Sequence, residues 1–202
     1  MGMCHDKYTK GVKMKEIILF NGSPHQQGNT KIALDIVAAA LKEHHIKTEI
    51  IQLGGTNIRP CKGCRACIKN KNKRCVITGD AVNAYIERMI DADGIVIGSP
   101  VYTSNVTAEV KAFIDRVNFV CKANDFLLKG KIGAPVIVAT KSGATMAYAA
   151  IQLMFGISQM ISVGSSYWNV AYGKMPGDIL NDDEGIQSFK DLGHNMATLL
   201  NQ

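Results

Sequence analysis

The sequence lacks the features that place a chain in a membrane or on a secretion route. It has no apolar run approaching the roughly 18 residues that a spanning helix needs. Residues 1–15 are polar and lack the apolar centre of a signal peptide. We therefore expect a cytoplasmic protein without a membrane partner.

Several common enzyme motifs are also missing. The chain has no Gly-x-Gly-x-x-Gly dinucleotide fingerprint and no Gly-Lys-Ser/Thr phosphate loop. It shows no convincing Ser-His-Asp set and no paired carboxylates, so hydrolytic chemistry has little support. We accordingly predict no catalytic acid, base or nucleophile.

One long stretch contains no acidic residue. Seven basic residues lie between Arg59 and Cys75 and supply much of the net charge of +6. Such a block is typical of a solvated loop or of a surface that attracts an acidic partner. Because the block has no interleaved aromatic residues and no nucleic-acid-binding motif is evident, we expect no nucleic-acid binding.

What is present is an alternation of apolar strands and amphipathic helices. Buried strands separated by helices predict a parallel sheet covered on both faces, a doubly wound α/β sandwich of order 2-1-3-4-5. We expect residues 1–13 to form an N-terminal extension and residues 14–202 to form one domain with a long cysteine-rich loop at 54–79. The predicted strands are 16–20, 47–53, 94–99 and 134–140, with a fifth within 163–170, and the last helix is 183–200.

The turn after the first strand is rich in glycine, amides and hydroxyls. Residues 21–30 read Asn-Gly-Ser-Pro-His-Gln-Gln-Gly-Asn-Thr and open a helix. The free amides and the dipole of a helix N-terminus attract phosphate, and Ser23, Asn29 and Thr30 can add donors. An ordinary strand-to-helix turn with a capping threonine would look similar.

Polar residues also follow the third and fourth strands. Since the first and third strands are neighbours in this strand order, the turn after Ser99 should face the first turn. Tyr102 can lie against a planar ring, although the segment can equally serve only to start the next helix. With the polar residues at 140–145, three such turns at one sheet edge predict a pocket.

Together these segments resemble the NADPH-dependent FMN reductase family, and most closely its iron–sulfur flavoprotein branch. The likeness covers about residues 14–145 and implies a flavodoxin-like three-layer sandwich with a five-stranded parallel sheet, an FMN cofactor, and a homodimer or homotetramer. The motifs that carry it are Gly22-Ser23-Pro24, Gly28-Asn29-Thr30, Gly98-Ser99-Pro100-Val101-Tyr102, Asn105-Val106-Thr107-Ala108 and Lys111-Ala112-Phe113-Ile114-Asp115-Arg116.

The resemblance also implies which residues hold FMN. The phosphate is expected at Ser23, Gln27, Gly28, Asn29 and Thr30, and the isoalloxazine at Pro100, Val101, Tyr102, Thr103, Ser104 and Asn105. The chain departs from the family after the fourth strand, where the glycine-rich stretch is short. There we expect contacts from Ser142 and Gly143.

The loop at 54–79 carries four cysteines with two, two and seven residues between them. In a reducing compartment, clustered cysteines indicate metal binding or catalysis rather than disulfides. Such spacings let the thiolates occupy separate corners of a [4Fe–4S] cube, as the resemblance also implies. Zinc and metal-free thiols remain alternatives. The predicted ligands are Cys61, Cys64, Cys67 and Cys75, whereas Cys4 and Cys121 are expected to be incidental.

These expectations combine into an FMN-dependent electron-transfer oxidoreductase. Electrons would pass from an acidic, ferredoxin-like donor through the cluster to FMN and on to an acceptor. The basic residues of the loop would attract this donor, and the loop should open at the same sheet edge as the flavin. One alternative is an NAD(P)H-dependent FMN or quinone reductase without a cluster, and another is a non-enzymatic carrier like flavodoxin. Tyr167 and Trp168 are expected to pack in the core, with a subunit contact or a position near the flavin as alternatives.

Overall fold

The computed structural model describes residues 14–202, so the predicted N-terminal extension lies outside it. Its strands are β1 (Glu16–Asn21), β2 (Lys47–Gln52), β3 (Gly94–Pro100), β4 (Ile132–Ala139), β5 (Ile161–Ser162) and β6 (Val170–Tyr172). Its helices are α1 (Asn29–Glu43), α2 (Ala66–Asn70), α3 (Val82–Asp91), α4 (Ala108–Ala123), α5 (Ala144–Ile157) and α6 (Asp183–Leu200), with a short 3-10 helix at Asp178–Asn181.

The strands form one parallel sheet in the order β2-β1-β3-β4-β5, which confirms the predicted doubly wound, flavodoxin-like sandwich. The central strands are apolar on both faces, and every residue of β4 is buried. Because side chains alternate along a strand, Phe20 of β1 faces one helical layer while Leu19 faces the other.

The two faces of the sheet carry separate cores. Helices α3, α4 and α5 cover one face, where the rings of Phe20 and Phe113 pack 4.8 Å apart. Helices α1 and α6 cover the other face. Within residues 14–202, no helix is both long enough and apolar enough to cross a bilayer.

The prediction of a fifth strand within 163–170 was wrong, because Val170 alone of this range lies in a strand. Two short strands replace it: β5 pairs with the start of β4 at Ile132, and β6 pairs with its end. Pro135 of β4 lies between these two pairings. It has no N–H, so it cannot donate a ladder hydrogen bond on the side where the Ile137 amide donates to the Asn169 carbonyl. The side-chain amide of Asn169 donates to the Pro135 carbonyl instead, at 3.0 Å, and holds the intervening loop against the sheet.

The prediction that Tyr167 and Trp168 pack in the core was also wrong. They lie in that intervening loop and are 60% and 61% exposed. Trp168 packs edge-to-face against Tyr148 of α5, but both aromatic side chains remain largely open to solvent. The aromatic pair therefore belongs to the surface rather than to either core.

Candidate functional site

A cavity of about 290 Å³ opens at the carboxyl ends of β1, β3 and β4. This is the edge where parallel α/β sheets bind their ligands. It brings together seven of the predicted flavin residues: Ser23, Gly28, Asn29, Thr30, Pro100, Val101 and Tyr102. The prediction of a pocket built from the turns after strands one and three agrees with this placement.

The first turn reaches the cavity because β1 and β3 approach each other closely at their ends. The Gly22 amide donates to the Gly98 carbonyl at 2.8 Å. A Cβ at position 22 would stand 2.3 Å from a methyl carbon of Val110 and 2.5 Å from that carbonyl oxygen. Glycine is therefore required for the closeness of the two turns.

The N-terminus of α1 points at this cavity. Thr107 caps α4 and Asp182 caps α6, but no side chain among residues 14–202 caps α1 at Gly28. The first amides of α1 thus remain available to an anion, which the positive end of the helix dipole also favours.

Asn29 does more than line the cavity. Its side-chain amide donates to the Met175 carbonyl at 2.8 Å, and its side-chain oxygen accepts from the Gly177 amide at 2.7 Å. It thereby holds the segment after β6 against the turn at residues 21–30, the predicted phosphate turn. In that segment Lys174 supplies a positive charge to the cavity. Because this segment is distant in sequence, sequence reasoning missed its lining residues, which are Gly173, Lys174 and Pro176.

The turn after β3 is a tight hairpin closed by Tyr102 and Asn105. Their backbone groups exchange two hydrogen bonds of 2.8 and 3.0 Å. Between them Thr103 and Ser104 adopt left-handed φ angles of 47° and 57°. Such angles cost free energy for residues other than glycine, most of all for a β-branched one, and are typical of functional turns.

Six of the predicted flavin residues do not line the cavity, although all lie in the described part of the chain. They are Gln27, Thr103, Ser104, Asn105, Ser142 and Gly143. Gly143 instead supports the hairpin, because a Cβ there would stand 2.8 Å from the Cα of Ser104. The hairpin and this glycine form one unit at the rim. Three further lining residues that the sequence did not single out are His25, Val138 and Thr140.

A second cavity, of about 230 Å³, collects the four predicted metal ligands, Cys61, Cys64, Cys67 and Cys75. Gly63, with φ of +64°, allows the chain to turn between the first two cysteines, and α2 carries Cys67. Val76, Ile77, Phe119 and Val120 complete an apolar wall. The loop therefore gathers four sulfur donors beside apolar side chains, although Cys64, Val76 and Phe119 remain exposed.

Cys75 is positioned by a buried amide that the sequence did not reveal. The side-chain oxygen of Asn83 accepts from the Cys75 amide at 2.7 Å, and its nitrogen donates to the carbonyls of Cys75 and Ile77 at 2.9 and 3.2 Å. Asn83 is the second residue of α3. The fourth cysteine is thus attached to the rigid helical layer.

Beneath the cysteines lies a fully buried ion pair between Arg116 of α4 and Asp80. The guanidinium also donates to the carbonyls of Arg59 and Ile77, at 3.1 and 3.0 Å. Burial alone would raise the pKa of Asp80, but hydrogen bonds from Arg116 and from the Arg59 and Val82 amides lower it below its ordinary value. Asp80 therefore stays ionised and joins both ends of the cysteine loop to α4.

The cysteine thiols differ in their surroundings. Burial raises the pKa of Cys67, and the neighbouring Cys75 and Cys61 raise it further. All three cysteines line the same cavity. Cys121, buried in the core, has its pKa raised by burial to about 12, which suits the prediction that it is incidental.

The prediction that the cysteine loop opens at the same sheet edge as the flavin was wrong. The cysteine cavity lies away from the cavity at the carboxyl ends of the strands, which we call the flavin cavity. The loop leaves that edge after Gly54, but its cysteines pack against the middle of α4, beside Arg116 and Phe119. Arg116 is nine residues beyond Thr107, which donates to the Gly22 carbonyl at 2.9 Å beside the phosphate turn. At 1.5 Å per residue, the two positions are about 14 Å apart along α4.

The four cysteines supply the donor set of a metal group with several iron atoms rather than of one ion. Among residues 14–202, no three His, Cys, Asp or Glu side chains converge closely enough to hold a single metal ion. Four sulfurs around one cavity, with no carboxylate or imidazole in its lining, are the ligand type of iron–sulfur clusters and of thiolate zinc. A cube has four separate iron corners, so its ligands stand farther apart than those of one ion.

Comparison with known proteins places this chain beside flavin enzymes. The family model for NADPH-dependent FMN reductases matches residues 15–174. An iron–sulfur flavoprotein of Methanocaldococcus jannaschii is 34% identical over 92% of this chain and 97% of that protein. One of Archaeoglobus fulgidus is 32% identical over 87% of this chain and 85% of that protein.

A solved structure agrees at the level of the fold. NAD(P)H:quinone oxidoreductase from Methanothermobacter marburgensis superposes with a TM-score of 0.65 and 17% identity, over 92% of this chain and 98% of that one. At this identity the likeness concerns the fold alone.

Proposed function

Because this chain belongs to the NADPH-dependent FMN reductase family, we propose that it is an iron–sulfur flavoprotein that uses FMN together with a [4Fe–4S] cluster. Membership of the family makes it a flavin-dependent oxidoreductase with FMN as its cofactor. The observation that carries the cluster is that Cys61, Cys64, Cys67 and Cys75 line one cavity.

For FMN, the proposed phosphate site is the uncapped start of α1. Its first amides and Lys174 face the same cavity, so they can bind an anion. Tyr102 and Val101 lie at the other side of the cavity, where they can contact a planar ring. When bound, the flavin supplies the two-electron chemistry, and the protein supplies its placement and electrostatics.

For the cluster, the loop supplies four thiolates, and apolar side chains of the loop and of α4 line the same cavity. A cube matches sulfurs spread around a cavity better than a single zinc ion, whose four ligands converge on one point. The cluster would accept single electrons from a ferredoxin-like donor and pass them to FMN. The exposed lysines and arginines of the loop suit such an acidic donor.

A second candidate, an NAD(P)H-dependent FMN or quinone reductase without a cluster, is favoured by the description of the matching family. In that case the cysteines would remain thiols and the nicotinamide would donate directly at the flavin. A carrier like flavodoxin, with no acceptor of its own, is the third possibility, but membership of a reductase family argues against it.

The first experiment measures iron, acid-labile sulfide and flavin per chain in anaerobically purified protein. We expect about four iron, four sulfide and one FMN. Cys64→Ser should lose iron and sulfide while keeping FMN, whereas Cys121→Ser, which changes a buried cysteine outside the cavity, should keep all three. FMN without iron or sulfide in the wild type would leave the NAD(P)H reductase as the better assignment.

The donor is tested on the same preparation. Fast flavin reduction by reduced ferredoxin and slow reduction by NADPH would support the iron–sulfur assignment, and the reverse order would support the second candidate.

We also propose that the chain forms a homodimer or homotetramer. Leu153 is 72% exposed and stands beside the exposed Tyr167 and Trp168, so an apolar groove is open to solvent. Sedimentation velocity at micromolar concentration would reveal the oligomer, and a single monomeric species would contradict it.

A further inference from the structure

Arg116 is the one buried cation in the wall of the cysteine cavity. Within the described residues, three cationic side chains line this cavity: Lys62, Arg65 and Arg116. The first two are exposed, so solvent screens their charges, whereas the side chain of Arg116 is 0% exposed. A buried charge acts on its neighbours with far less screening.

The hydrogen bonds of Arg116 leave one donor unused. Its two terminal nitrogens are satisfied by Asp80 and by the carbonyls of Arg59 and Ile77. Its Nε is also buried, yet it finds no hydrogen-bond partner among residues 14–202. An unpaired buried N–H is unfavourable, so its presence in the wall of a cavity lined by four cysteines calls for a partner.

The guanidinium also faces the predicted ligands. Arg116 lines the same cavity as Cys61, Cys64, Cys67 and Cys75, so its buried group and the four sulfurs share one space. Hydrogen bonds to the sulfurs and the local charge are the protein's means of setting the reduction potential of a cluster.

We propose that Arg116 is a positioning residue that raises the reduction potential of the cluster, through its buried positive charge and its unused Nε–H, which is available as a donor to the cluster. The inference rests on the cluster of the proposed function. A cluster held by four thiolates is negatively charged, and one-electron reduction adds a further negative charge. A cation held beside it favours the reduced form, and Asp80 limits this effect by cancelling part of the charge.

The test is a dye-mediated redox titration with dithionite, followed by electron paramagnetic resonance of the reduced cluster. Arg116→Gln should shift the midpoint potential to a more negative value, and Arg116→Lys, which keeps the charge but lacks the Nε–H, should shift it less. Asp80→Asn should shift it in the opposite direction. Lys111→Gln removes an exposed charge from the same helix and should leave the potential unchanged.

The opposite directions of the potential shifts expected for the Arg116 and Asp80 variants separate an electrostatic role from a structural one. A residue that only supported the fold would lower the iron content in both the Arg116 and the Asp80 variants without opposed shifts of potential. If Arg116→Gln fails to fold, the midpoint potentials of Arg116→Lys and Asp80→Asn provide the test. Unchanged potentials in a cluster-loaded protein would overturn this inference alone, while a wild type without iron or sulfide would overturn the cluster as well.

Discussion

At the scale of single residues, buried polar side chains connect segments that are distant in sequence. Asp80 pairs with Arg116 and also accepts from the Arg59 amide, so one carboxylate joins the two ends of the cysteine loop to α4. Asn29 joins the phosphate turn to Met175 and Gly177 in the same manner. Both residues lie under or beside a cavity rather than in the apolar core.

Asp80→Asn should destabilise the metal-free protein in a pH-dependent way. Because folding lowers the pKa of Asp80, its contribution is complete above about pH 4 and is lost as the pH falls through the lower folded value. At pH 7 the substitution should reduce the free energy of unfolding by about 1–3 kcal/mol, the cost of weakened hydrogen bonds to a buried charge.

Urea unfolding of both proteins from pH 7 to acid provides the measurement. The difference between them should shrink as the pH falls. Asp115→Asn disrupts an exposed pair with Lys111 on the same helix and should cost roughly 0.5 kcal/mol or less. A difference between wild type and Asp80→Asn that is independent of pH would contradict this account.

Asn29→Ala should loosen the segment that closes the flavin cavity. Two hydrogen bonds are lost, which corresponds to about 1–3 kcal/mol in total, and a loss of 1.4 kcal/mol in binding is a tenfold weaker Kd. We therefore expect FMN to bind about tenfold more weakly, as measured by quenching of flavin fluorescence. Gln26→Ala changes an exposed residue of the same turn and should leave the Kd unaltered.

At the scale of elements, the hairpin after β3 carries backbone strain. Thr103 and Ser104 occupy left-handed conformations, yet neither is a glycine. Gly143, at the start of α5, packs against Ser104 and keeps the hairpin close to the rim of the cavity. The strain is therefore held in place by two neighbouring elements.

Thr103→Gly should relieve this strain. A left-handed β-branched residue costs on the order of 1–3 kcal/mol, and the added flexibility of glycine in the unfolded chain removes part of the gain. We expect the flavin-free protein to become more stable by about 1 kcal/mol in urea unfolding. Asn105→Gly, at a position in the same hairpin without a left-handed φ, should be destabilising instead, and a loss of stability in Thr103→Gly would show that the turn is not strained.

At the scale of the whole molecule, the two cavities lie apart, one at the start of α1 and the other against α4. The flavin cavity lies at the ends of the strands, whereas the cysteine cavity lies against the middle of α4. Most of the basic residues of the loop are exposed around the cysteines. A negatively charged donor would thus be attracted to the face that carries the sulfurs.

Reversing charges in the loop should slow the encounter with such a donor. Lys69→Glu with Lys71→Glu should decrease the rate of reduction by reduced ferredoxin at low salt, and the difference should diminish near 0.15 M salt, where the Debye length is about 8 Å. Lys190→Glu on α6, across the sheet, serves as the control and should change the rate little. Equal slowing by the control would indicate an effect of net charge rather than of the loop.

The sheet order could be predicted because it depends on local patterns. Strands such as 94–99 are apolar on both faces and alternate with helices, and right-handed crossovers leave few ways to connect them. The cysteines and the turns at Ser23 and Tyr102 could be identified from spacing and residue type for the same reason. The fifth strand did not follow this pattern, because Pro135 interrupts the hydrogen-bond ladder between β4 and its later partners. Such an interruption depends on pairing with a segment much later in the chain.

The remaining features depend on contacts between distant segments, which no local pattern contains. Residue spacing alone grouped the four cysteines, but folding places them against α4 instead of at the flavin edge. Folding also brings Lys174 to the phosphate turn through Asn29, and it buries Arg116 next to Cys75. The chemical groups are thus encoded locally, whereas their distances and their shielding from water arise only when two layers of helices close over one sheet.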